Sequence, residues 1–235
     1  MEERTRTTLK LANVSRQSAE EVSTQMTAIW NNFDNGTKSL EYYADAITAL
    51  GAKTASSSSE IAQGLSKFAA VADTIGLSYE TASAAIATVV AETRQSADTV
   101  GNAFKSIFSR LESLKLGETL EDGVGLTKYT EALQTVGVQV LDINGNLKDA
   151  DTILSELGNR WNEISDTQKV ALANTVAGQR QYAQFVALFD NWDKVQENRG
   201  IAEDSEGTLQ EQADIYAESW EAASKRVKAS AETIY

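Results

Sequence analysis

Apolar residues recur along most of this chain at the three- and four-residue spacing of one helical face. Over residues 1–33 Val22, Met26, Ile29 and Phe33 fall on such a face with Trp30 beside it, and Asn35-Gly36 supplies a stop. This predicts one helix across 1–33, then a second from Thr37 to Leu50 that ends at Gly51 as a left-handed cap. The run Ser56-Ser57-Ser58-Ser59-Glu60 suits a linker less well than an N-cap followed by an acidic first turn. The helix it opens carries Leu65, Phe68, Ala69, Ala72 and Ile75 and stops at Gly76. Ser78 caps the next helix, whose face is Tyr79, Ala82, Ile86, Val89 and Val90 and whose many small residues permit close packing. From the Ser96 cap onward, Val100, Phe104, Ile107, Phe108, Leu111 and Leu114 form the clearest amphipathic helix in the chain.

The glycines at 117, 123 and 125 mark a loop, and a helix from Leu126 to Val136 is expected to end at Gly137. The period then changes. Val138 to Asp142 alternate, Asn144-Gly145 is a hairpin turn signal, and Leu147 follows, which predicts one small β-hairpin near 138-148. Asp149 or Asp151 should cap a helix running through Trp161, and a further helix should start near Asp166 and end at Gly178. Residues 180–197 are expected to continue as helix, with a break at Asn198-Arg199-Gly200. Beyond it, Leu209, Ala213, Tyr216, Trp220, Ala223 and Val227 alternate steps of four and three, a heptad seam that Ser230 breaks and Ile234 resumes. From Leu209 to Tyr235 such a helix would be ~40 Å long. The expected fold class is therefore mainly α, a multi-helix bundle with one small hairpin and a long C-terminal helix. Residues 1–200 form its main unit, and 201–235 are an amphipathic helix that either packs on the bundle or starts a coiled-coil rod. Leu209, Tyr216, Trp220 and Val227 are the candidate oligomer or partner contacts.

Composition narrows the chemistry. The chain has no Pro, in keeping with long uninterrupted helices. It has no Cys and no His, which excludes disulfides, thiolate nucleophiles, Ser-His-Asp catalysis and nearly all zinc sites. Its net charge of −13 disfavours broad contact with a nucleic-acid backbone or an anionic membrane, and no apolar run is long enough to span a bilayer.

Several strings, taken in order, point to a family. They include Ala28-Ile29-Trp30-Asn31-Asn32-Phe33, Tyr42-Tyr43-Ala44-Asp45-Ala46, Leu50-Gly51-Ala52-Lys53-Thr54-Ala55, and Thr93-Arg94-Gln95-Ser96-Ala97-Asp98-Thr99-Val100-Gly101. Phe104-Lys105-Ser106-Ile107-Phe108-Ser109-Arg110-Leu111, Leu133-Gln134-Thr135-Val136-Gly137-Val138 and Ala177-Gly178-Gln179-Arg180-Gln181 follow. Together they resemble the helical domain of phage tail tape-measure proteins, especially those of siphophages and prophages of Gram-positive bacteria, over most of residues 1–200. The resemblance implies a structural protein that sets tail length, fills the tail lumen until DNA ejection, and is made in the host cytoplasm. It implies few copies around an axis, three or six, in contact with tail-tube, tail-tip and assembly-chaperone proteins. It also implies a much longer parent chain, so that Met1 is expected to mark a truncation or an added start. No catalytic motif, cofactor or metal transfers with it.

Other chemistry was weighed on the residues themselves. Asp142, Asn144 and Asn146 place oxygens at alternate positions, like the start of a calcium loop. The Gly and Glu that such a loop needs are here Leu147 and Ile153, and a hairpin turn explains the residues better. Glu112 and Glu121 can be proposed as a glycosidase pair, but nothing in the sequence marks either as buried, and a solvated acidic face explains them. Gly178-Gln179-Arg180-Gln181 and Arg94-Gln95-Ser96 read as helix–helix junctions, where Arg and Gln cap carbonyls, ahead of functional loops, and Arg94, Arg110 and Arg180 are candidate contacts with other copies or tail partners. The expectation is a non-enzymatic assembly domain. The alternatives are a helical protein-binding module of a prophage and, behind it, a peptidoglycan-degrading domain.

Overall fold

The structure, a computed structural model, describes residues 2–232; of residue 222 and residues 225–232 only the backbone is described. Twelve α-helices are found among the described residues. They are α1 (Glu2–Ser15), α2 (Ala19–Phe33), α3 (Leu40–Lys53), α4 (Ser58–Thr74), α5 (Tyr79–Thr93), α6 (Ala97–Lys115), α7 (Leu126–Gln134), α8 (Ala150–Arg160), α9 (Asp166–Val176), α10 (Tyr182–Asp190), α11 (Trp192–Glu203) and α12 (Thr208–Glu232). Short 3-10 turns follow α8 and precede α10.

Serine starts half of these helices. Ser18, Ser39, Ser57, Ser78, Ser96 and Ser165 all sit in extended backbone with the hydroxyl accepting from the N–H three residues on. At Ser18, Ser57 and Ser165 a Glu or Gln closes a capping box. Each such cap contributes about 1 kcal/mol. The four-serine run is thus an N-cap, with Ser57 paired to Glu60.

The core is built around α5. Eleven of its residues are buried, from Tyr79 to Val90, because its small side chains let neighbours approach from all sides. Helices α3, α4, α6, α10 and α11 surround it. On one side α4 crosses α6 so closely that a Cβ on Gly101 would lie 2.5 Å from the Gly64 carbonyl oxygen. Beside that crossing Phe68, Phe104 and Phe108 form an aromatic cluster with centroids 5.5–5.7 Å apart. On another side α11 lies along α5, where buried Asn198 donates to Thr88 Oγ1 at 2.8 Å. A second aromatic cluster joins Trp161, Phe185, Phe189 and Trp192 and links the 3-10 turn after α8 to α10 and α11.

Five expectations need correction. Residues 1–33 are two helices: Arg16 adopts left-handed backbone (φ 58°), the Gln17 N–H closes back on the Ala12 carbonyl, and Ser18 starts α2. Gly51 is not a cap but lies inside α3, where an added Cβ would meet Ser58 Oγ at 2.2 Å. Residues 180–197 are interrupted at Asn191, whose side chain bonds back to the Ala187 carbonyl. The break expected at 198–200 is absent, since α11 runs through it to Glu203.

The fifth correction is the hairpin near 138-148: no strand forms there, only one antiparallel bridge between Leu141 and Leu147. The turn at Asn144-Gly145 is real, with Gly145 at φ 80°. The Asp142 carboxylate organises it, accepting the Asn144 and Asn146 N–H groups at 2.8 Å each. The arms are too short to extend a ladder, because α7 ends just before and α8 begins just after. A two-stranded pair with no third strand is marginal in any case.

Candidate interaction surface

The candidate contact residues all belong to α12, so its docking sets what they can do. Buried Asp45 of α3 accepts the Leu209 N–H at 2.8 Å and the Gly207 N–H at 3.1 Å. A carboxylate from a distant helix thereby caps the N-terminus of α12, where free N–H groups and the helix dipole favour negative charge. Burial pushes the Asp45 carboxyl above its usual range, and the two backbone bonds pull it back only in part. Gly207, at φ 82°, makes the tight entry into the helix.

Leu209 is fully buried and joins the core, so it is used within the chain. Ala213 is half-buried against α1. From Asp214 to Glu221 every residue is exposed. Tyr216 is 41% and Trp220 68% exposed, and Ile215 beside them is 52% exposed. The side chain of Val227 and the position of Ile234 lie outside the described residues. The first seam positions therefore pack inward and the following ones face solvent. Leu9 of α1, 51% exposed, lines a shallow groove of about 540 Å³ together with Ala213, Thr5 and Asn13. Exposed large apolar side chains on two adjacent helices are the feature that marks an interaction surface.

The other sequence candidates fall elsewhere. Arg110 bridges α6 to the end of α9, donating to the carbonyls of Val176 at 3.0 Å and Thr175 at 2.9 Å, and pairs with Asp122 at 2.8 Å. It caps the end of α9 within the chain. Arg94 is the left-handed C-cap of α5 and reaches the Ala55 carbonyl at 3.5 Å. Arg180 is exposed and has no hydrogen-bond or ion-pair partner among the described residues. Glu112 is half-buried on α6 and Glu121 exposed in the following loop. Asp142 is held below the usual carboxylate range by hydrogen bonds from Asn146 and Asn144, and it folds its own turn. Among the described residues no group of three or more acidic side chains is placed to hold a metal ion, and no helix is long and apolar enough to cross a membrane.

The docking of α12 by Asp45 was not foreseen. The one available signal was an Asp in an otherwise apolar helix face, in the run Tyr43-Ala44-Asp45-Ala46-Ile47.

No solved structure matches this chain. The sequence profile of the family described as phage-related minor tail protein matches residues 1–178, well over half of the chain. The described residues form a helical body free of strands, and on the profile match the chain belongs to the phage-related minor tail protein family, a structural component of a phage tail.

Proposed function

We propose that this chain is the helical domain of a tail tape-measure protein, occupying the tail lumen until DNA ejection. The observation that carries the reading is α12. Its first turn is clamped to the body by Asp45, and from Asp214 to Glu221 every side chain is exposed, with Tyr216 and Trp220 uncovered. A helix anchored at one end and apolar beyond it suits a rod assembled from several copies inside a tube. The family match supports the tail setting. In this reading the domain is not an enzyme, binds no nucleic acid itself, and works through contacts with other copies, three or six around the axis, and with tube, tip and chaperone proteins. It is made in the host cytoplasm and carried into the virion.

The test is immunogold electron microscopy with antibody raised against this chain, on intact and partly disassembled virions from the source bacterium. Label confined to the lumen or tip, appearing after disassembly, is the expected result. Label on the outside of intact tails, or protein found only in lysate, overturns the lumen assignment in favour of an external tail component or a soluble binding module.

A further inference from the structure

We propose that Asn35 is a self-modification site: the loop between α2 and α3 converts its side-chain amide to a carboxyl through an internal succinimide. The chain holds two Asn-Gly pairs, Asn35-Gly36 and Asn144-Gly145. Glycine carries no Cβ, so its backbone nitrogen is the least hindered in reaching the side-chain carbonyl carbon of the residue before it. Both asparagines are exposed, and Gly36 and Gly145 have nearly the same φ, 79° and 80°. Sequence and exposure therefore do not separate the two pairs, but their hydrogen bonds do. The reacting groups all lie in one exposed loop, whatever the place of the chain in a tail.

At Asn35 the hydrogen bonds fall on the atoms that the reaction changes. The Gly36 N–H, which must lose its proton as the nitrogen attacks, donates to Asp34 Oδ1 at 2.9 Å. A carboxylate at that distance is placed as a general base. Asn35 Oδ1, which gains negative charge as its carbon becomes tetrahedral, accepts the Thr37 N–H at 3.1 Å and the Thr37 hydroxyl at 2.6 Å. Two donors already aimed at the developing oxyanion stabilise it. A Cβ on Gly36 would meet nothing within 4 Å, so the loop has room for ring closure. At Asn144 the same atoms are placed differently. The Gly145 N–H donates to the Asp142 backbone carbonyl at 3.1 Å, a neutral oxygen far less basic than a carboxylate. The Asp142 carboxylate is taken up by the Asn144 and Asn146 N–H groups, and among the described residues nothing donates to Asn144 Oδ1.

The step balances without an oxidant or reductant. The Gly36 nitrogen bonds to Asn35 Cγ, the Cγ–Nδ2 bond breaks, and the proton taken by Asp34 passes to the departing nitrogen, which leaves as ammonia. Water then opens the five-membered imide at either carbonyl, giving aspartate or isoaspartate at position 35. One water is consumed, one ammonia is released and one negative charge is added beside the C-cap of α2, the negative end of that helix.

The experiment incubates the 235-residue chain near neutral pH, folded and in urea, and follows both asparagines by mass spectrometry of proteolytic peptides, with fragmentation to locate each change. In the folded chain Asn35 should react about tenfold faster than Asn144, a modest share of what a positioned base and oxyanion donors supply in sites closed to water. In urea the two rates should draw together. Asp34→Ser keeps an acceptor for the Gly36 N–H but no base, and Thr37→Val removes the hydroxyl from the oxyanion. Each should slow Asn35 several-fold and leave Asn144 at its slow folded rate, which also shows that the variant is folded. Equal rates at the two asparagines in the folded chain, or the same ratio folded and in urea, would overturn the site. So would a rate at Asn35 that either variant leaves unchanged, since the loop would then react through its sequence alone.

Discussion

Two single side chains decide how tightly this body holds together. Gly101 lets α6 cross α4 at backbone contact, and a methyl group there would press on the Gly64 carbonyl, which has no rotamer by which to move away. Gly101→Ala should therefore cost about 3 kcal/mol, the upper part of the range for overpacking. Urea unfolding should show this as a lower midpoint with unchanged slope; an unaltered midpoint would mean the two helices can slide apart. Asp45 acts through its carboxyl oxygens, which accept the two N–H groups at the start of α12. Burial raises its carboxyl above the usual value despite the N–H groups of Leu209 and Gly207. A carboxyl with a raised folded-state pKa holds its proton where the unfolded chain has released it. Its contribution to stability is therefore full in acid and falls as pH climbs from about 4 through the raised value. Asp45→Asn removes this slope. The wild type should lose stability relative to Asp45→Asn as pH rises over that interval, and a difference moving the other way would refute the account. Asp45→Ala leaves two N–H groups without their acceptor and should cost about 1–3 kcal/mol for each, with faster hydrogen exchange at Gly207 and Leu209.

The helices themselves were largely legible, and the reasons for the exceptions are physical. Serine caps are written locally, since hydroxyl and N–H lie three residues apart, so the starts at Ser57, Ser78 and Ser96 could be read directly. The amphipathic face of α6 is likewise a local pattern, and its apolar positions are the buried ones. The break after Ser15 was not legible, because a left-handed Arg16 carries no composition signal and apolar residues continue on both sides. Gly51 misled because glycine marks a helix cap and a close approach alike, and only the position of Ser58 tells them apart. Asp45 and the α12 entry are 164 residues apart, so no window reveals their pairing. The seam on α12 was visible, but not where burial ends along it. That division yields its own prediction. Leu209→Ala should cost about 2–5 kcal/mol, the usual loss for a fully buried leucine, whereas Trp220→Asp on the exposed stretch should change stability by no more than about 0.5 kcal/mol. Equal losses in thermal unfolding would mean that the second half of α12 also packs on the body.

For the molecule as a unit, the question is whether the exposed face of α1 and α12 joins copies. Tyr216, Trp220, Ile215 and Leu9 are few, and a stable interface between proteins buries about 1,200–2,000 Å². The described part of this face is too small to hold copies together firmly at low concentration. Association should therefore appear only as concentration rises, as a weight-average mass in light scattering that climbs above that of one chain. Trp220→Asp should abolish that climb, because a carboxylate at the centre of an apolar contact loses its water without gaining a partner. Salt tests the nature of this contact. Apolar contact is not weakened by ionic strength, and at a net charge of −13 added salt also relieves repulsion between copies, so the mass should hold or rise. If instead Trp220→Asp associates as the wild type does, the heptad seam is not the joining surface, and the copies of this tail protein must meet through another face.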